Sequence, residues 1–299
     1  MSKIKKIYTF GTSFTAGGGY EFDSPAKKAT LHKLYGHLNE TPTRYNFSWP
    51  GQLNKLVKSH DIKVDNYAES GYGNEKMYRN VYDIIQSKNF KKEETLFILE
   101  FSGVGRQEIY FNPLQDYVIF NFKDSEPFNT KYSSIAHKYF YDKDDNQSII
   151  DENRKVIEDY HKLVYDQVNR EKYCQRNNNF FIRYLESLGI NYLIGQHPYF
   201  PVTKYNDNTD FSLLDKKSVE FITENKYPHG TCMGLASYYS FEGLDITSET
   251  NGEMVDGHAG LLGNKNIAIN MFNGLITHGY INDSKKIPLS KDIKFCRTE

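Results

Sequence analysis

The sequence predicts an α/β fold in which helices cover both faces of a parallel sheet. Short runs rich in β-branched and aromatic residues recur along the chain, and stretches with helical spacing of apolar residues separate them. The most apolar run, Thr95 to Phe101 (TLFILEF), has the character of a central strand buried on both sides. Such alternation requires crossover connections, which make the strands parallel. A chain of 299 residues with 38% hydrophobic content is large enough to close this core as one domain over 1–299.

Ile4 to Phe10 (IKKIYTF) reads as the first strand, ending at Gly11 and feeding a glycine-rich loop, GTSFTAGGGY. Ser48 stands before Trp49-Pro50 as a capping residue before proline, and Leu53, Leu56 and Val57 follow at helical spacing, so a helix is expected from about 49 to 59. Ile62 to Ala68 (IKVDNYA) alternates as a strand should, and Gly71-Tyr72-Gly73 breaks it before a helix over Asn74 to Ser87. After the strand at Thr95 the pattern dissolves over about 105–150 into an aromatic-rich insertion. Helical spacing resumes from Asp151 to Leu188 and stops at Gly189, and Asn191 to Gly195 (NYLIG) is a fourth strand. A second irregular insertion, about 197–250, leads to DGHAGLLGN and a closing helix near 260–279. In parallel sheets ligands gather beyond the carboxyl ends of the strands, so the loops after strands are where chemistry is expected.

Composition narrows the function classes. Lys+Arg 37 against Asp+Glu 38 leaves a net charge of -1, which gives no global field toward nucleic acid or an anionic membrane. Nowhere do eighteen consecutive apolar residues occur, and MSKIKKIYTFGTSF lacks the form of a secretion signal, so a cytoplasmic protein is expected. Cys174, Cys232 and Cys296 lie far apart and read as reduced thiols. Aromatic residues make up 15% of the chain, which suits a groove for sugar rings but follows more readily from an A/T-rich coding sequence.

Two features could carry nucleophilic chemistry. Ser13 lies just after the first strand in the glycine-rich loop, where a hydroxyl becomes a nucleophile if a base reaches it. Alone, Gly-Thr-Ser after a strand is an ordinary turn. Asp256-Gly257-His258 puts a carboxylate beside an imidazole, which can hold the Nδ1 proton and leave Nε2 as a base, although a lone pair of this kind is also commonplace in a solvated loop. The chain order Ser, Asp, His is that of α/β-hydrolases, but the G-x-S-x-G elbow is absent from Gly11 to Thr15.

Four blocks resemble the SGNH/GDSL hydrolase family. FGTSFTAG (Phe10 to Gly17) stands where that family has its GDS block, with Thr12 replacing Asp, and NYAESGYGN (Asn66 to Asn74) resembles the block that supplies the second glycine. DGHAGLLGN (Asp256 to Asn264) resembles the closing Asp/His block, and FSWPGQL (Phe47 to Leu53) looks like a stretch found in virus-encoded members. The resemblance implies a three-layer α/β/α sandwich on a flavodoxin-like sheet. It also implies a triad of Ser13, His258 and Asp256, with the oxyanion held by the amides of Ser13 and Gly71 and by a side chain from the third block. Two departures stand out: the family spaces its pair as DxxH, and TLFILEFSGVGRQE (Thr95 to Glu108) has no GxND. Ser102 is the best-placed substitute donor, and Arg106 is expected to pair with Glu108.

Other constellations point elsewhere only weakly. Asp142, Asp144 and Asn146 open like a calcium loop, but Gln147 and Asn153 occupy the glycine and glutamate positions. His197, His229 and His278 share no metal-ligand spacing, and no glycine-rich loop carries a nucleotide fingerprint, so neither metal nor cofactor is expected. The expected function is a metal-independent serine esterase acting on small acyl esters, such as O-acetyl groups of a polysaccharide, with the two insertions as the substrate rim. The alternatives are a noncatalytic carbohydrate-binding or virion structural module on the same fold, virion-associated rather than freely cytoplasmic, and a sugar O-acyltransferase. Oligomeric state is not legible.

Overall fold

The computed structural model describes residues 4–17, 42–69, 73–102, 106–112, 116–121, 154–164, 166–196, 261–277, 279–282 and 285–288. Four strands form one parallel sheet: β1 (Lys6–Phe10), β2 (Lys63–Asn66), β3 (Thr95–Phe101) and β6 (Asn191–Gln196). Their order is β2-β1-β3-β6, and all seven residues of β3 are buried. The central position expected of TLFILEF follows from its composition, since a strand flanked on both edges and covered on both faces has no room for a polar side.

Side chains of successive strand residues point to opposite faces, and the sheet divides its apolar residues accordingly. Ile7, Val64, Leu96, Ile98 and Leu193 join one core cluster, together with Trp49, Leu53 and Val57 of α3 (Trp49–Val57) and Ile267, Met271 and Leu275 of α7 (Leu261–Thr277). Tyr8, Phe10, Phe97, Leu99 and Tyr192 join the other, with Met77 and Val81 of α4 (Asn74–Gln86) and Phe181, Ile182 and Leu185 of α6 (Gln167–Ser187). In each helix the buried residues recur at spacings of three and four, the stripe that faces a sheet.

Helix ends follow the local chemistry. Ser48 caps α3 by accepting a hydrogen bond from the Gly51 amide, with proline in the first turn. Gly189, at φ +63, takes the left-handed conformation that closes α6. The described residues of 151–188 form two helices: α5 (Arg154–Leu163) ends, and Asp166 caps α6 by accepting from the Asn169 amide at 2.7 Å. Two short helices, α1 (Ser13–Ala16) and α2 (Pro42–Phe47), complete the set.

The start of the 105–150 stretch is not a loop. β4 (Arg106–Phe111) and β5 (Asp116–Asn121) pair antiparallel, with Ile109 opposite Val118. The pair is held by α4. The Arg79 guanidinium donates to Glu108 at 3.0 Å and lies over the Tyr117 ring at 4.2 Å. Glu108 therefore takes its cation from α4 and not, as the sequence suggests, from Arg106 two residues away. Burial pushes the Glu108 carboxyl up, with Arg79 acting against it. Cys174, on α6, is buried and outside any disulfide. Among the described residues no helix is long and apolar enough to cross a membrane.

Candidate functional site

The chain passes from β1 to β2 on one side and then crosses to β3 on the other, so the loops after β1 and β3 leave the sheet at the point where strand order reverses. β1 runs into Gly11 and Thr12, and α1 begins at Ser13. The Thr12 carbonyl accepts from the Ala16 amide at 2.9 Å, and Gly17, at φ +84, ends this single turn.

Glu100, in the sixth position of β3, reaches beneath this turn. Its carboxylate accepts from the Thr12 hydroxyl at 2.7 Å, from the Thr12 amide at 3.3 Å and from the Thr15 hydroxyl. The residue is 3% exposed. Burial pushes the Glu100 carboxyl above the ordinary range, while the Thr15 and Thr12 hydroxyls, the Thr12 amide and the charge of Arg106 act in the opposite direction. The Arg106 guanidinium is lowered by burial and raised by Glu100. Gly11 makes the close approach possible: a Cβ there would stand 2.8 Å from both Glu100 Cβ and Thr15 Oγ1.

Asn66, at the end of β2, ties the turn from the other side. Its Oδ1 accepts from the Thr9 hydroxyl at 2.9 Å and from the Ala68 amide at 3.1 Å, and its Nδ2 donates to the Thr15 carbonyl at 2.9 Å. Trp49, 1% exposed at the start of α3, donates its indole N–H to Thr15 Oγ1 at 3.3 Å and its backbone N–H to Asn264 Oδ1 at 2.8 Å. Beyond β3, Asn74 grips Ser102: the Ser102 amide donates to Asn74 Oδ1 at 2.6 Å, and Asn74 Nδ2 donates to the Ser102 carbonyl at 3.4 Å. Between these groups lies a pocket of about 10 Å³ lined by Gly11, Tyr67, Gly73, Met77, Glu100 and Ser102. That is space for roughly one water molecule.

All four sequence blocks therefore meet here. Thr12 and Thr15 come from FGTSFTAG, Asn66 and Asn74 from NYAESGYGN, Trp49 from FSWPGQL and Asn264 from DGHAGLLGN. Of the expected site residues, Ser13 opens α1 directly after β1, and Ser102 follows β3, the neighbouring strand, with 2% exposure. The Ser13 side chain, Gly71, Asp256 and His258 lie outside the described residues, as do His197, His229, His278 and the stretch 142–153. Glu100, Thr15, Asn66, Asn74 and Trp49 are the members that sequence reasoning did not single out. Among the described residues no group of three or more His, Cys, Asp or Glu could hold a metal ion. Comparison with protein-family models, with curated proteins and with solved structures yields no match for this chain.

Proposed function

We propose that this protein is a serine esterase of the SGNH/GDSL type, built as a three-layer α/β/α sandwich. Ser13 attacks the acyl carbonyl, His258 takes the hydroxyl proton and returns it to the leaving alcohol, and Asp256 orients the imidazole. The acyl-enzyme is then released by water activated in the same way. The oxyanion is stabilised by the amides of Ser13 and Gly71, with Ser102 as the side-chain donor. The substrates are small acyl esters, O-acetyl groups on a polysaccharide foremost, and the aromatic stretches about 105–150 and 197–250 form the rim that receives the sugar. Neither nucleic acid nor a membrane is a partner in this reading, and the site of action is the cytoplasm.

One observation carries the proposal: the four separate blocks that carry the family resemblance are hydrogen-bonded to one another at the strand-order reversal of a parallel sheet, with Ser13 opening the turn they enclose. The two core clusters, each combining strand residues with a pair of helices, support the layered architecture. A noncatalytic carbohydrate-binding or virion module draws on a different observation. The stretch after β3 has no GxND side-chain donor, and the Ser102 amide that could stand in for it is taken by Asn74. A fluorophosphonate probe separates the two readings. Labelling confined to Ser13, lost together with p-nitrophenyl acetate hydrolysis in a folded Ser13→Ala variant, is the expected outcome. Folded wild-type protein that neither labels nor hydrolyses any ester tested would establish the binding module instead.

A further inference from the structure

We propose that Glu100 is the positioning residue for the Ser13 turn, supplying from β3 the carboxylate that FGTSFTAG lacks where Thr12 stands. The inference rests on the esterase reading and deepens it, by naming what fixes the nucleophile's backbone.

The geometry is specific. Thr12 immediately precedes Ser13, and both its amide and its hydroxyl donate to Glu100, at 3.3 and 2.7 Å. Thr15 lies on the other side of Ser13 and donates its hydroxyl to Oε2, the oxygen that also takes the Thr12 amide, while the Thr12 hydroxyl donates to Oε1. A hydroxyl has one proton, and Thr15 Oγ1 also faces the Trp49 indole, which can only donate. The indole N–H therefore occupies a lone pair of Thr15 Oγ1, and the Thr15 proton is directed to Glu100. Three donors converging on one carboxylate, one of them oriented by a fourth group, fix a turn of four residues on both flanks of Ser13. Such a short helical turn has little hold of its own, because a single turn fixes several dihedrals for one hydrogen bond. Gly11 completes the device, since any larger residue would press on Glu100 Cβ and Thr15 Oγ1.

A carboxylate is the acceptor this arrangement needs. Glutamine offers one acceptor oxygen; with that oxygen at Oε2, where the Thr12 amide and the Thr15 hydroxyl donate, its amide nitrogen becomes a donor facing the Thr12 hydroxyl, which loses its acceptor. The cation whose charge acts on the carboxylate is Arg106, at the start of β4.

The test compares wild type, Glu100→Gln, Thr12→Val and Thr12→Ser by the rate of fluorophosphonate labelling at Ser13 and by kcat and KM for p-nitrophenyl acetate, with folding followed by circular dichroism. The expected result is that Glu100→Gln folds and loses about 10- to 100-fold in both labelling rate and kcat, with KM changed less than about twofold, because misplacement of a reacting group acts on the chemical step. Thr12→Val should show a loss of the same kind, and Thr12→Ser, which keeps the hydroxyl, should restore activity to near wild type. Labelling and kcat within twofold of wild type in folded Glu100→Gln would overturn the proposal and leave the esterase reading standing. If Glu100→Gln does not fold, the Thr12 pair decides: equal activity in the valine and serine variants overturns it. Folded wild-type protein that is not labelled removes the esterase reading and this proposal with it.

Discussion

Replacing Asn264 with alanine probes the link between the closing block and the rest of the site. The Trp49 amide stands at the first position of α3, where no intrahelical acceptor exists, and it is met by Asn264 Oδ1 at 2.8 Å. Asn264 is 1% exposed, so water has no direct route to replace the lost oxygen. A buried donor left without its acceptor costs about 1–3 kcal/mol. For a chain of this size that corresponds to a fall in Tm of roughly 2 to 6 °C. The same change frees Trp49, whose indole supports Thr15 at 3.3 Å, so the turn beginning at Ser13 shifts and kcat for p-nitrophenyl acetate should fall roughly 10-fold. Asn273→Ala is the matched control. Asn273 sits on the same helix and makes two hydrogen bonds to the Ile287 backbone, at 2.8 and 2.9 Å, so its loss costs stability without touching Trp49. The measurement is thermal unfolding and initial rates for both variants at a temperature where both remain folded. Equal kcat losses in the two variants would refute the coupling and leave only general destabilisation, and an unchanged Tm in Asn264→Ala would refute the energetic role of the hydrogen bond.

Two further predictions concern charge. The Glu100 carboxyl is raised by burial, so the folded chain holds its proton more tightly than the unfolded chain does; that contribution to stability is complete below the ordinary value of 4.5 and is lost as pH rises through the folded value. The Tm of Glu100→Gln relative to wild type should therefore rise between pH 4.5 and pH 8, and a relative Tm that falls over this interval would show that the fold favours the ionised form. Arg79→Ala should loosen the β4–β5 pair, because the Glu108 side chain is 4% exposed while Arg79 is 35% exposed, and partial access of water to the cation keeps the cost to about 1–2 kcal/mol. Hydrogen exchange over 106–121 should then quicken by roughly 10-fold with β1 and β3 unaffected, whereas unchanged exchange in the hairpin would mean that other contacts hold it.

The sheet was legible because its signals are local. IKKIYTF, IKVDNYA, TLFILEF and NYLIG each carry their own alternation or apolar run, and Ser48 and Gly189 mark helix ends by their own chemistry. The β4–β5 pair is less plain: RQEIYF is three polar residues followed by three apolar ones and DYVIFN holds a short apolar run, so neither alternates, and Asn112-Pro113 between them signals a turn without naming what it joins. Asp166 likewise marks the start of a new helix within the helical spacing of 151–188. The site was legible only as four blocks. Which residues join them depends on contacts between positions 88, 85 and 215 apart, for Thr12 with Glu100, Thr15 with Glu100 and Trp49 with Asn264. No periodicity encodes such pairs. The one available sign was Glu100 itself, the sole charge in an otherwise apolar strand.

That charge is the feature the fold explains least by stability alone. A buried carboxylate costs free energy that three hydrogen bonds and a nearby guanidinium only partly offset, as the upward displacement of its pKa records. A strand such as TLFILEF could bury an apolar residue at the same position and gain from it. From this position the side chain passes under Gly11 and meets both Thr12 and Thr15. A cost concentrated at the strand-order reversal of a parallel sheet, beside the first turn after β1, is what preorganisation requires: the expense falls on folding, and the turn that bears Ser13 is held in one geometry before any ligand arrives. The same accounting gives Gly11 and Asn66 their places. Asn66 satisfies the Thr15 carbonyl and Gly11 clears space for the Glu100 and Thr15 side chains, and neither contributes an apolar contact that the core would miss.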